Sequence, residues 1–304
     1  MGEDLLVRLE EERKVLYNYA KKMYIISGSI ALLGLILLLV GFINFIIPLF
    51  IIGGLLLFAS VLTFALMNSS PKYRARKKQM KSDIVNWYLA DKGYENFNYQ
   101  VDGGLSYESF YKLGLIKEIP DVQNYEDLIQ GEYKNVKFSM SDLHLQRKET
   151  RVDSKGHSST TYVTYFKGKA IIIDYPKILD CDVTLLDRTD MLFCGHNGNK
   201  LETEVIEFNK KFNIYTSDKG TVFKILSPHM IMKILEFKKM QKGKMSLSFT
   251  RDKLYVVVNN NSDMANINWG KEISKEMLER YLGDFLLPAA IINEFRLDTH
   301  LYQD

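Results

Sequence analysis

An uncharged tract covers residues 23–71, in a chain in which 25% of all positions are Asp, Glu, Lys or Arg. A helix needs about 20 apolar residues to cross the hydrocarbon core of a bilayer, so the tract is long enough for two crossings. Asn44 and Pro48 lie near its middle, and these residue types are typical of a turn and of the first turn of a helix. The sequence therefore predicts a transmembrane hairpin with spans at 23–42 and 45–67.

A soluble helix pair and a signal peptide both fit the tract less well. A pair of buried helices in a soluble protein normally carries polar residues on one face, whereas runs of 18 or more uncharged apolar residues are typical of membrane spans. A cleaved signal peptide does not fit either, because the first span follows 22 residues and a second span follows it.

Basic residues flank the spans, and the connecting turn has none. Lys and Arg near span ends are retained on the cytoplasmic side, which predicts a multi-pass protein of the inner (plasma) membrane with both termini in the cytoplasm. The run after the second span also predicts a surface for anionic lipid headgroups, at about 1 kcal/mol per basic residue. This membrane-surface run comprises Lys72, Arg74, Arg76, Lys77, Lys78 and Lys81.

Three segments follow from this placement. Residues 1–22 are rich in helix formers and are predicted to extend the first span as a cytoplasmic helix. Residues 23–71 are the hairpin. Residues 72–304 have the composition of a soluble domain and are numerous enough to enclose a core of their own.

Periodicity predicts the elements of that domain. Helices are expected at 73–89, 107–113, 125–130 and 228–240 and after Ser274. Strands are expected at 133–145, at 160–175 with a tight turn at 166–169, and at 204–208, 212–216, 244–249 and 253–258. A polar loop is expected at 148–159. Strands joined by short turns cannot be parallel, so the predicted fold class is α+β, with a mostly antiparallel sheet flanked by helices.

Several short phrases along the chain resemble a bacterial family of two-span membrane proteins that is known only as a domain of unknown function. The resemblance covers most of the chain and implies no assigned chemistry. Family members have LemA-type envelope proteins as gene neighbours, which implies such a protein as a partner. The phrases are Gly131-Glu132-Tyr133 leading to Phe138, Asp142-Leu143-His144-Leu145, Tyr162-Val163-Thr164-Tyr165-Phe166-Lys167-Gly168, Asp174-Tyr175-Pro176-Lys177, and Phe212-Asn213-Ile214-Tyr215-Thr216-Ser217-Asp218 ahead of Leu226-Ser227-Pro228.

The chain lacks a glycine-rich phosphate loop, a zinc-protease helix motif and a nucleophile elbow. Cys181, Cys194 and His196, with the acidic neighbours of Cys181, form the best group of metal-capable side chains. Zinc sites prefer paired Cys or His at short spacing in both halves, so two reduced cysteines in a connector fit the pattern better. No catalytic residue, cofactor or metal is predicted.

Asp142 and His144 lie two residues apart on a predicted strand and therefore on one face of it. Such a pair can support general acid–base catalysis, but a surface hydrogen bond is the simpler interpretation. The aromatic residues of the strands lack a recognisable RNA-binding motif around them, so no nucleic acid is expected as a partner.

Two classes of function remain open at this point. The first is a membrane-anchored cytoplasmic binding or scaffold module of the bacterial envelope, with the lipid bilayer as its partner and no assigned activity. The alternative is a membrane-tethered enzyme with a site assembled from Asp142, His144 and the Cys181, Cys194 and His196 region.

Overall fold

The structure is a computed structural model that describes residues 2–189, 199–265 and 267–298. The chain divides into two compact units. The helical unit contains residues 1–84 and 267–280, and the sheet unit contains residues 85–266 and 281–304. The division into segments 1–22, 23–71 and 72–304 stays a prediction.

Three long helices begin the chain: α1 (Gly2–Ile43), α2 (Ile47–Ser69) and α3 (Pro71–Asp91). The turn between α1 and α2 contains Phe45 in a left-handed conformation, with φ of 55°. Pro48 lies in the first turn of α2, where its missing N–H breaks no helical hydrogen bond. Because α1 is unbroken, the predicted cytoplasmic helix and the first apolar span are one element.

Small residues let α1 and α2 approach closely. A Cβ atom added to Gly53 would lie 2.7 Å from the carbonyl oxygen of Gly34, so a larger residue there would force the helices apart. The hydroxyl groups of Ser27 and Ser60 lie 3.1 Å apart in the same interface. Close packing of small residues and interhelical hydrogen bonds are how helices associate in lipid.

The outward faces of these two helices are apolar. Large side chains such as Ile25, Leu55 and Phe58 have 59%, 63% and 69% of their surface exposed. A helix pair in a soluble core would bury such residues, whereas a hydrocarbon solvent accepts them. In the described part of the chain, two helices are therefore long and apolar enough to cross a membrane, which suggests a membrane protein.

The sheet unit is built on a nine-stranded sheet within the described residues, in the order β1-β2-β3-β4-β9-β8-β5-β7-β6. Its strand pairs are antiparallel, which confirms the α+β class. The strands are β1 (Glu95–Gln100), β2 (Val122–Tyr133), β3 (Val136–Val152), β4 (Ser158–Asp174), β5 (Val183–Asp187), β6 (Asn199–Leu201), β7 (Phe212–Thr216), β8 (Lys244–Phe249) and β9 (Lys253–Asn259).

Short helices complete the chain. They are α4 (Tyr107–Lys112), α5 (Ile206–Lys211), α6 (Lys219–Ile225), α7 (Pro228–Met240), α8 (Lys275–Leu282), a 3-10 turn (Gly283–Leu286) and α9 (Leu287–Glu294). The predicted helix at 228–240 is confirmed: the Ser227 hydroxyl accepts the Met230 N–H, and Pro228 occupies the first turn.

Three predicted elements are wrong. Residues 125–130 belong to β2 and are not helical, because pairing with β3 overrides their weak local preference. Residues 204–208 do not form a strand; α5 begins at Ile206, and the Asn209 side chain braces the turn before it by bonding both the N–H and the carbonyl of Thr203. The loop predicted at 148–159 is shorter, since β3 extends to Val152 and β4 begins at Ser158.

The predicted tight turn at 166–169 is also wrong, because these residues lie within β4. Gly168 has a positive φ of 159°. A Cβ atom at this position would clash with the Val258 carbonyl of β9. The glycine therefore marks a close approach between neighbouring strands and not a reversal of the chain.

Candidate functional site

A cavity of about 470 Å³ lies in the helical unit, beside the residues at which the apolar tract begins. Its wall on α1 comes from residues spaced three or four apart, which places them on one helix face. The start of α3 and a short segment near residue 270 form the other walls. The lining residues are Leu16, Tyr17, Ala20, Lys21, Tyr24, Ile25, Tyr73, Lys77, Trp269 and Gly270.

A buried ion pair on α1 fixes the segment that carries Trp269. The Arg13 guanidinium donates to both carboxylate oxygens of Glu10, at 2.7 and 2.6 Å, and to the Trp269 carbonyl oxygen at 3.0 Å. The Ile273 N–H in turn donates to Glu10 Oε2 at 3.0 Å. The hydrogen bond from Arg13 holds the pKa of Glu10 below its ordinary value, although burial opposes it. The pair therefore stays ionised and anchors two backbone groups of residues 267–280.

Two aromatic rings that line the cavity also contact rings on neighbouring helices. The Tyr24 ring lies 5.6 Å from the Phe64 ring near the end of α2, and the Tyr19 ring lies 5.6 Å from the Tyr73 ring. Tyr and Trp favour the boundary between hydrocarbon and water, because their rings are apolar and their tips bond to water. The aromatic lining is thus of the kind that is common at membrane interfaces.

Two lysines bring positive charge to this lining. Lys77 Nζ lies 5.7 Å from the centroid of the Trp269 ring, within the range of a cation–π contact. Desolvation, followed by repulsion from Lys81, lowers the pKa of Lys77. Lys21 reaches the cavity from α1. An anion entering the cavity would therefore meet ammonium groups from two different helices.

The predicted membrane-surface run lies at the start of α3. Lys77 is the member of that run that lines the cavity, whereas Lys72, Arg74, Arg76, Lys78 and Lys81 are outside its lining. Contact of these residues with lipid headgroups stays a prediction. The sequence predicted the charge of the run, but no local pattern indicated that Trp269 would join it.

In the sheet unit, Asp142 and His144 bond to different partners. Asp142 is 4% exposed, and its Oδ2 accepts the Met264 N–H. His144 Nε2 lies 2.8 Å from the Thr164 hydroxyl, and burial, with repulsion from Lys167, lowers its pKa. The two side chains therefore do not form the acid–base pair that the alternative function would use.

Lys169 is a buried charge that was not predicted from the sequence. Its ammonium is fully buried and bonds Asp284 Oδ2 at 2.6 Å, the Ser262 hydroxyl at 2.5 Å and the Ser262 carbonyl at 3.0 Å. Lys169 alternates with Ile171 and Ile173 on the buried face of β4. That alternation was the available signal, because a charged side chain on a core face needs partners.

Cys181 is a partly exposed free thiol. Cys194 and His196 lie outside the described residues, so the group of metal-capable side chains that they form with Cys181 stays a prediction. The alternative of a membrane-tethered enzyme stays a prediction.

Comparisons with known proteins give one family and one solved structure. No curated protein matches the sequence. The chain is similar to the crystal structure of the mycobacterial trehalose monomycolate transport factor A, TtfA, at 9% sequence identity, covering 69% of this chain and 94% of that chain. The TM-score of 0.37 is too low to support an argument about fold or function. Residues 164–297 match the family described as "Protein of unknown function (DUF3137)", so the expected resemblance to a domain of unknown function is confirmed for this part of the chain.

Proposed function

We propose that the chain is a membrane-anchored cytoplasmic binding module of the bacterial envelope, and that its cavity receives the polar end of an anionic lipid. The observation that carries the proposal is the composition of the cavity: apolar and aromatic walls combined with Lys21 and Lys77, at the place where the apolar tract begins. Such a lining suits a ligand with one apolar and one negative part.

The size of the cavity is compatible with such a ligand. Ligand sites commonly enclose about 300–1,000 Å³, and this one encloses about 470 Å³. Leu16 and Ile25 offer apolar surface to the upper acyl or glycerol carbons, while the ammonium groups of Lys21 and Lys77 attract the negative headgroup. Each basic residue near an anionic surface contributes about 1 kcal/mol.

The proposed topology follows from the charges that flank the spans. With ten Lys and Arg residues flanking the spans and none in the turn, we place both termini and the cavity on the cytoplasmic side. A reporter fused to the C-terminus should be active only in the cytoplasm, and a periplasmic reporter signal there would overturn this placement. A LemA-type envelope protein as a partner rests on the family resemblance alone.

The lipid proposal can be tested in the full chain with Trp87→Phe, which leaves Trp269 as the only tryptophan. The protein is placed in phosphatidylcholine nanodiscs that contain a small fraction of brominated phosphatidylglycerol or brominated phosphatidylcholine. Bromine quenches indole fluorescence at short range, so we expect stronger quenching by the anionic lipid.

Lys21→Gln with Lys77→Gln should then weaken this preference about fivefold per charge, as about 1 kcal/mol each implies. The matched control is Lys22→Gln with Lys78→Gln, which removes the same net charge outside the cavity lining. Equal losses in the two double variants would contradict a specific site and leave only diffuse surface attraction.

A further inference from the structure

Three carboxylates converge at one place in the sheet unit. One oxygen each from Glu126, Asp142 and Asp263 lies within 4.8 Å of the other two. Glu126 and Asp142 are register partners on β2 and β3, and Asp263 lies in the segment that follows β9. Asp263 is distant in sequence from the other two residues, so the fold itself completes the cluster.

Local backbone features fix this arrangement. The register of β2 against β3 shifts between Glu126 and Ile129, and Asp127 at this bulge has a φ of 60°. Bulges re-aim neighbouring side chains and are common beside functional sites. On the other side, the Met264 N–H donates to Asp142 Oδ2, which holds the segment of Asp263 against β3.

Asp142 has one oxygen that the described groups around it leave without a hydrogen bond. Its Oδ1 is buried and has no hydrogen-bond partner among the described residues. The ammonium of Lys169 lies 3.9 Å from this oxygen, beyond hydrogen-bonding distance, and is engaged by Asp284 and Ser262. Like charges on directly opposed strand positions are destabilising, so the ionised form of Asp142 opposite Glu126 requires a compensating cation.

Since Met264 occupies Oδ2 of Asp142, Oδ1 is the oxygen that remains for a ligand. An all-oxygen set of three carboxylates suits a hard divalent cation. Calcium binds oxygens at about 2.3–2.6 Å, so two oxygens on opposite sides of the ion are about 4.6–5.2 Å apart. The three oxygens lie within 4.8 Å of one another, which is compatible with ligands of one calcium ion. Magnesium demands near-ideal octahedral geometry and loses its waters reluctantly, whereas calcium accepts irregular sets of oxygen ligands.

We propose that Glu126, Asp142 and Asp263 form a calcium-binding site at the bulge of β2. Glu126 is exposed, which gives the ion and its remaining water ligands a route from solvent. Lys167, whose ammonium lies 2.9 Å from Asp263 Oδ2, neutralises one oxygen of Asp263 and leaves the other for the ion. The site shares no residue with the lipid cavity, which is built only from residues of the helical unit.

The test uses the full chain in a neutral detergent, so that no anionic lipid competes for calcium. After removal of divalent ions with a chelator, calorimetric titration with Ca²⁺ should show saturable binding of one ion, and Ca²⁺ should raise the thermal unfolding temperature. Mg²⁺ should bind more weakly. No saturable binding at millimolar Ca²⁺ would overturn the proposal.

Substitutions of the three carboxylates test where the ion binds. Glu126→Gln and Asp263→Asn should each weaken Ca²⁺ binding at least tenfold, whereas Glu132→Gln, the same change on the same strand outside the cluster, should not. Asp142→Asn should abolish binding while its amide oxygen still accepts the Met264 N–H. If Asp142→Asn does not fold, the other two variants still decide, and unchanged affinity in both would refute the site.

Discussion

The Glu10 carboxylate and the Arg13 guanidinium form two hydrogen bonds within one turn of α1, and together they hold the backbone at Trp269 and Ile273. Both side chains are about nine-tenths buried. The loss of one partner of such a pair leaves an uncompensated charge, which in buried pairs costs about 3–5 kcal/mol.

Glu10→Gln should therefore loosen residues 267–280. Hydrogen exchange of the Ile273 amide, which donates to Glu10 Oε2, is the direct measurement and should become at least tenfold faster than in the parent protein. Glu11→Gln is the matched control, since Glu11 is the next residue of α1 and is exposed. Equal exchange at Ile273 in both variants would show that the ion pair does not anchor this segment.

Gly53 and Gly54 provide a matched pair in the hairpin. A Cβ atom on Gly53 would lie 2.6 Å from the backbone nitrogen of Leu38, whereas one on Gly54 meets nothing within 4 Å. Gly53→Ala should destabilise the α1–α2 pair by about 1–3 kcal/mol through overpacking. Gly54→Ala should be neutral or stabilise the helix by up to about 1 kcal/mol. Unfolding of the full chain in detergent measures both, and a reversed order would contradict the observed helix contact.

Asp142 makes the stability of the folded state depend on pH. Burial raises the pKa of this carboxyl to about 8, against the opposing attraction of Lys169. The folded state therefore holds a proton that the unfolded chain has released above about pH 4, and the stability of the folded state falls as pH rises from about 4 to about 8.

Asp142→Asn removes this titration. In chelator, the variant should exceed the parent protein in free energy of unfolding by at least about 1.4 kcal/mol at pH 8.5, the equivalent of one pKa unit, and by less at pH 5.5. Denaturant unfolding at the two pH values measures the difference. An excess that is the same at both values would show that Asp142 is not protonated near neutrality.

Removal of residues 1–70 tests how residues 267–280 are held. Trp269 and Ile273 would lose Arg13 and Glu10 as partners, so the Ile273 amide should exchange at nearly the rate of an unfolded chain. Amides in the central strands β4 and β9, which pair with each other, should stay protected. Retained protection at Ile273 would mean that the segment has partners other than α1.

The parts of the fold that were predictable are those written into short stretches of sequence. An apolar tract long enough for two spans and the helical spacing of apolar residues at 228–240 are local signals, and the structure agrees with both. The helix predicted at 125–130 failed because a bulge buries Asp127, Leu128 and Ile129 in succession, which hides the alternation of a strand.

The sites were much less predictable because they depend on contacts between residues far apart in the chain. Arg13 meets Trp269, and Glu126 meets Asp263, only after folding. No spacing rule joins these residues. The basic run after α2 was visible in the sequence, but the selection of Lys77 for the cavity depends on the position of Trp269.

Because α1 is unbroken, its apolar span and its N-terminal part tilt together. Its 42 residues correspond to about 63 Å at about 1.5 Å per residue, longer than the roughly 40–45 Å of a complete bilayer. With the span embedded as proposed, the helix cannot change its tilt without carrying Glu10 and Arg13 sideways. A change of about 10° displaces a point about 30 Å along such a rod by about 5 Å. Tilting is one way in which a span adjusts to a change in bilayer thickness, and such tilting would move the Trp269 segment.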